Sequence, residues 1–197
     1  MKVAIKKSIL KKILYPFLIV LALGIIIFLF LPQSAQHKVL IETNYGKITL
    51  QLDSSKAPIT VKNFEDYVKS GFYDGTVFHR IIKGFMVQGG GFAIDGTQKQ
   101  TNVPIVLESN NGLKNIRYSI AMARTNDPNS ATSQFFINAV DNSFLDYNAG
   151  NPGYAVFGRV IDGFETVDKI ENLQTETKNG MSDWPTEEVI IQKVSLI

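Results

Sequence analysis

The chain has no cysteine, only two histidines and a single tryptophan among its 197 residues. Without cysteine there is no disulfide, no thiol nucleophile and no thiolate metal ligand, so folding does not depend on the redox compartment. The two histidines, His37 and His79, cannot supply a three-histidine metal site within one chain. A serine triad would need His79 as its base, and no Gly-x-Ser-x-Gly turn occurs. A lone histidine beside Arg80 is more often a structural hydrogen-bonder than a base. Acidic residues are missing from the first dozen positions, which carry Lys2, Lys6, Lys7, Lys11 and Lys12. Setting those five lysines aside turns the net charge of +2 into about −3, so no basic surface for nucleic acid is implied. Gly89-Gly90-Gly91 lacks the Gly-Lys-Ser/Thr of a phosphate loop and reads as a bulge or tight turn in a curved strand.

What is present begins with an apolar run. From Ile13 to Leu31 there is no charge, and about 19 helical residues at about 1.5 Å each reach about 28 Å, the thickness of a bilayer's hydrocarbon. The lysines precede this run, so the start is expected in the cytoplasm and everything after Leu31 outside. An uncleaved anchor is the preferred reading. A cleaved secretory signal competes with it, although the run is long for one and Gln33 stands where a cut after Ala35 wants a small residue. A buried soluble helix is the third alternative. Either leading alternative puts the following domain outside the cytoplasm: bound to the cytoplasmic membrane by one span, or periplasmic or secreted if the segment is cut. The expected layout is anchor or signal at 1–32, linker at 33–37 and one domain at 38–197.

In that domain Lys38–Thr43 and Lys47–Leu52 flank Asn44-Tyr45-Gly46, which predicts a hairpin with glycine at positive φ. Val61, Phe64, Tyr67 and Val68 recur at helical spacing, with Thr60 expected as N-cap and Gly71 as the residue closing the helix. A second helix is expected at Phe164, Val167 and Ile170, and a terminal strand over 188–196. The short apolar runs between them, punctuated by Gly, Asn and Pro, suit a mainly β protein with a closed antiparallel sheet.

Three segments are dense in aromatic, amide and cationic side chains. The first is Phe78-His79-Arg80-Ile81-Ile82-Lys83-Gly84-Phe85-Met86-Val87-Gln88-Gly89-Gly90. The second is Ser119-Ile120-Ala121-Met122-Ala123-Arg124, followed by a polar loop and Ser133-Gln134-Phe135-Phe136-Ile137-Asn138. The third is Asn142-Ser143-Phe144-Leu145-Asp146, with Tyr154-Ala155-Val156-Phe157-Gly158-Arg159-Val160 after it. On the residues alone, the first remains open to a plain account as a barrel strand with core Phe and Met and a surface arginine.

In this order and spacing the three segments resemble cyclophilins, the bacterial ones in particular, from about Val39 to the C-terminus. The resemblance implies a closed eight-stranded antiparallel barrel capped by two helices, with the active groove on its outer wall. The activity it implies is peptidyl-prolyl cis-trans isomerisation of proline-containing polypeptides, with no cofactor or metal; the N-terminal segment adds the expectation that the clients are exported proteins whose folding it assists, and a monomer is expected. Position by position, Arg80 matches the catalytic arginine and Gln88 the glutamine that holds it. Phe85, Met86, Phe136 and Leu145 match the walls of the proline pocket. Gln134 and the backbone at Ala123 and Arg124 match the part that grips the substrate chain, and His79 matches a supporting histidine near the site. Phe144 stands where many eukaryotic members have tryptophan and Tyr154 where they have histidine; both substitutions, like the loop Thr125–Thr132, look bacterial. The alternatives are a proline-peptide-binding module and a chaperone without essential turnover. Retention of both Arg80 and Gln88 argues against the former. A hydrolase is disfavoured for want of a paired base and nucleophile.

Overall fold

Alternating apolar and polar residues build the first two strands of the computed structural model, which describes residues 37–197. Strand β1 (His37–Thr43) turns inward Val39, Ile41 and Thr43, and β2 (Gly46–Leu52) turns inward Ile48, Leu50 and Leu52. The hairpin between them has the expected position. Its loop is Asn44-Tyr45, and Gly46 pairs with Thr43 at φ 138. His37, expected in the linker, opens β1, where its ring bonds Glu65. The expected anchor at 1–32 and linker residues 33–36 lie outside the described residues. Among the described residues no helix is long and apolar enough to cross a membrane.

Helix α1 (Pro58–Lys69) buries Val61, Phe64, Tyr67 and Val68. Thr60 is not its N-cap, because Pro58, with its φ already helical and no N–H to satisfy, starts the helix earlier. The first-turn donors are met from a distant loop: Glu108 accepts from Ile59 N (3.1 Å), Thr60 N (2.7 Å) and Thr60 Oγ1 (2.7 Å). The other end follows expectation. Gly71 takes φ 68, its N–H bonds Val68 O, and Phe72 N–H bonds Tyr67 O, the paired closure of a left-handed helix stop.

Strands β3 (Thr76–Ile82) and β4 (Met86–Ala93) form a second hairpin, followed by β5 (Ser119–Met122), β6 (Phe135–Asn138) and a 3₁₀ turn at Ser143–Leu145. Then come β7 (Val156–Asp162), helix α2 (Phe164–Glu171), a short ribbon of β8 (Thr175–Lys178) and β9 (Met181–Pro185), and β10 (Ile191–Leu196). Helix α2 buries Val167 and Ile170, whereas Phe164 stays partly exposed and packs its ring on Tyr118, 4.8 Å between centroids. The terminal strand starts at Ile191, three residues later than expected.

Eight strands make one antiparallel sheet in the order β10-β1-β2-β7-β5-β6-β4-β3. Its ends almost meet: Val77 bridges Ile190, and Phe78 N–H donates to Val189 O at 2.9 Å. The result is a nearly closed barrel with two helices. Inside it Phe64 packs against Tyr73, Phe135 and Phe157, with ring centroids 5.1–5.5 Å apart. The glycine run lies in β4 as expected of a bulged strand, with Gly90 at φ 80 and the β3–β4 register slipping on both sides of Phe78.

Candidate active site

Side chains of a strand alternate between faces, so filling the barrel with Phe78, Ile81, Val87, Ile120, Phe135 and Ile137 leaves their neighbours outside. Arg80 pairs with Gln88, Gln88 with Phe136, and Phe136 with Ala121 across β3, β4, β6 and β5. This register sets one row of side chains across the outer wall, neighbours about 5 Å apart. A second buried apolar cluster grows on that row: Met86, Ala121, Phe136, Leu145 and Val156, flanked by Ile82, Phe85, Leu113, Ala123 and Tyr154. Every residue expected to wall a pocket is brought together here.

The rim is aromatic. Phe144, 63% exposed, stacks on Phe85 at 5.6 Å, and Tyr154 meets Phe136 edge-on at 5.6 Å. Arg124 lies over the Tyr154 ring at 4.5 Å, and its Nε and Nη2 donate to Gly153 O at 3.0 and 2.9 Å. Its guanidinium therefore ties the rim together. Ala123 N–H donates to Gln134 O at 2.9 Å, placing Gln134 next to a residue that flanks the cluster.

Gln88 corrects one expectation. Its amide donates to Gln134 Oε1 at 2.9 Å, so the two glutamines hold each other. Arg80, opposite Gln88 in register, instead pairs through Nε with Asp183 Oδ2 at 3.6 Å. Gln134 has room to lie there because Gly91 has no side chain: a Cβ would sit 2.5 Å from Gln134 Cγ.

His79 is buried between Phe92 and Trp184, ring centroids 4.6 and 6.0 Å away, and its Nδ1 has no hydrogen-bond partner. Burial, aided by the Arg80 charge, pushes its pKa down to about 4 against the pull of hydrogen bonding. It is a neutral group packed between the two aromatic rings. Among the described residues no group of three or more His, Asp or Glu side chains is placed to hold a metal ion.

An outer-wall apolar cluster in strand register with a half-exposed arginine suits binding of an apolar ring next to a polar amide. The family model described as cyclophilin type peptidyl-prolyl cis-trans isomerase/CLD matches residues 38–196. The chain belongs to the cyclophilin-type peptidyl-prolyl cis-trans isomerases. This cyclophilin is 51% identical to peptidyl-prolyl cis-trans isomerase A of Dickeya dadantii (strain 3937), over 95% of this chain and 98% of that one. It is 52% identical to isomerase B of Escherichia coli (strain K12), over 78% and 96% of the two chains. A crystal structure of a Cryptosporidium parvum cyclophilin superposes with a TM-score of 0.68 at 34% identity, covering 82% of this chain and 97% of that one.

Two parts of the cyclophilin site escaped the sequence reading. One is a buried asparagine network. Asn142 Nδ2 donates to Phe85 O (2.9 Å) and Asn138 Oδ1 (2.7 Å), and Asn138 Nδ2 to Ser119 Oγ (2.9 Å). Asn115 Nδ2 donates to Leu145 O at 3.1 Å. These bonds fix the 3₁₀ turn that presents Phe144 and Leu145. Asp146 completes the network: burial would raise its pKa, but the Asn115 donors and Lys114 outweigh that and lower it. Two of these asparagines lie in the quoted strings, and their polarity between apolar residues was the available signal. The other missed residue is Asp183, from a segment with no distinguishing pattern.

Proposed function

We propose that Arg80 is the catalytic donor of this isomerase and that Phe85, Met86, Phe136 and Leu145 hold the proline ring. Rotation about an Xaa-Pro amide is opposed by about 18–20 kcal/mol, which comes from delocalisation of the nitrogen lone pair into the carbonyl. As the amide twists, the prolyl nitrogen regains its lone pair and becomes a hydrogen-bond acceptor. A donor aimed at it binds the twisted state more tightly than the planar one. No bond to carbon breaks, so neither nucleophile nor base is needed. The observation that supports this role is the cross-strand row that aligns the half-exposed Arg80 with Gln88 and Phe136 on the outer wall, where Phe136 and Met86 belong to one apolar cluster. Apolar walls exclude water that would otherwise compete for the guanidinium, and arginine keeps its charge at every physiological pH. Gln134 and the backbone at Ala123 and Arg124 take the flanking peptide chain. Isomerisation of a proline tetrapeptide tests the assignment: Arg80→Ala is expected to lower kcat/KM at least about tenfold, equivalent to about 1.4 kcal/mol. Arg80→Lys, without the planar fork, recovers only part. Parental activity in a folded Arg80→Ala protein would refute the role.

We further propose that this monomeric domain works outside the cytoplasm on exported polypeptides, anchored by residues 1–32. The lysine-rich start before an uncharged, span-length run supports this. Protease added outside the cytoplasmic membrane should then digest or release the domain, and the purified protein should keep its first residues. An N-terminus beginning near Gln36 would replace the anchor with a cleaved signal.

A further inference from the structure

The β8–β9 ribbon is not part of the barrel sheet, yet it delivers a carboxylate to the arginine of the outer wall. Its anchor is Trp184, fully buried against His79 and Phe92, with its indole N–H donating to Glu188. Just before that anchor the ribbon is irregular: Glu176 pairs with Trp184 but Lys178 with Met181, so β9 carries one extra residue. Asp183 lies in this bulge at φ 63, a left-handed conformation that aspartate tolerates better than most residues. Bulges redirect side chains, and this one turns Asp183 Oδ2 to 3.6 Å from Arg80 Nε. Among the described residues the terminal amino groups of the guanidinium make no hydrogen bond, and the glutamine opposite Arg80 in register is committed to Gln134.

We propose that Asp183 is a positioning residue for Arg80, steering the guanidinium from the Nε side so that its terminal N–H groups face the prolyl amide. The proposal rests on the catalytic role of Arg80 given above. The two side chains are 42% and 36% exposed, so the pair contributes little to stability. Its contribution is direction, which matters only when the twisted amide offers its nitrogen. Loss of Asp183 should therefore appear in kcat and leave KM and the melting temperature unchanged.

The test is a double-mutant cycle on the isomerisation of a proline tetrapeptide, with a thermal melt of each variant. Asp183→Asn tolerates the left-handed backbone and removes the charge; Asp183→Gly tolerates that backbone and removes the side chain. Both are expected to lower kcat about two- to fivefold, the range set by a half-exposed ion pair. In an Arg80→Ala background, Asp183→Asn should have no further effect. Undiminished kcat in Asp183→Asn beside a deficient Arg80→Ala would overturn the proposal while leaving the arginine's role intact. An equal loss with and without Arg80, or a loss accompanied by a lowered melting temperature in both variants, would also overturn it. A fully active Arg80→Ala would remove the catalytic role itself, and this proposal with it.

Discussion

Adding one methyl group at Gly91 should damage the site by displacing Gln134, without substituting any residue assigned to substrate. Gly91 is not at positive φ, so alanine is acceptable to its backbone. The methyl carbon would, however, stand 2.5 Å from Gln134 Cγ, 2.7 Å from Cδ and 2.8 Å from Nε2. Carbon atoms rest at about 3.5–4.0 Å, so the Gln134 side chain must move by about 1 Å. Side-chain atoms yield more readily than backbone, and the barrel should survive. The 2.9 Å bond from Gln88 to Gln134 should not. A partly buried amide hydrogen bond contributes about 1 kcal/mol, which sets the expected loss of stability in urea unfolding. Displacing Gln134 from the peptide path should also raise KM by about fivefold, the equivalent of another 1 kcal/mol or so, with kcat nearly unchanged. Gly150→Ala is the control, because its methyl would meet only Asn148 Oδ1 at an ordinary 3.7 Å. Gln134→Ala should match the KM of Gly91→Ala, and combining the two should add little. If Gly91→Ala keeps the parental KM and stability, the packing of Gln134 against Gly91 does not position it.

Three other outcomes follow from the same geometry. The His79 pKa falls from an ordinary value of 6.5 to about 4 in the fold. Its contribution to stability is therefore complete above about pH 6.5 and disappears as pH falls toward 4, about 3 kcal/mol in all. A urea-unfolding series from pH 7.5 to 4 should show a shallower loss for His79→Gln than for the parent, and parallel slopes would contradict the burial argument. Across pH 6–8 kcat/KM should stay flat, since the neutral His79 does not change charge there; a midpoint in that window would implicate another group. Glu108→Ala should destabilise by roughly 1–2 kcal/mol, because Ile59 and Thr60 lose the acceptor that caps α1, with Glu108→Gln recovering part of it. Equal unfolding midpoints for Glu108→Ala and parent would show that water replaces the cap at no cost.

Features legible in the sequence share one physical origin, the repeat of local structure. Period-two alternation marked β1 and β2, and helical spacing marked α1 and α2. Gly46 and Gly71 announced positive φ because few other residues take it without strain. The string from Phe78 to Gly90 already contained the site's outer face, since alternation along β3 and β4 sends Arg80, Met86 and Gln88 one way and Ile81 and Val87 the other. Tertiary structure decided the pairing of polar groups far apart in the chain. Glu108, not Thr60, meets the first donors of α1 from 48 residues away. Gln88 bonds Gln134 rather than Arg80, and Asp183 reaches Arg80 from a separate ribbon. Asn115 bonds Asn138 and Leu145, and Asn142 bonds Phe85, across segments far apart in the chain. A hydrogen bond depends on ångström-scale placement of two atoms, and no local period encodes that placement. It exists only after burial of Phe64, Phe135 and Phe157 has closed the barrel and set the strand register.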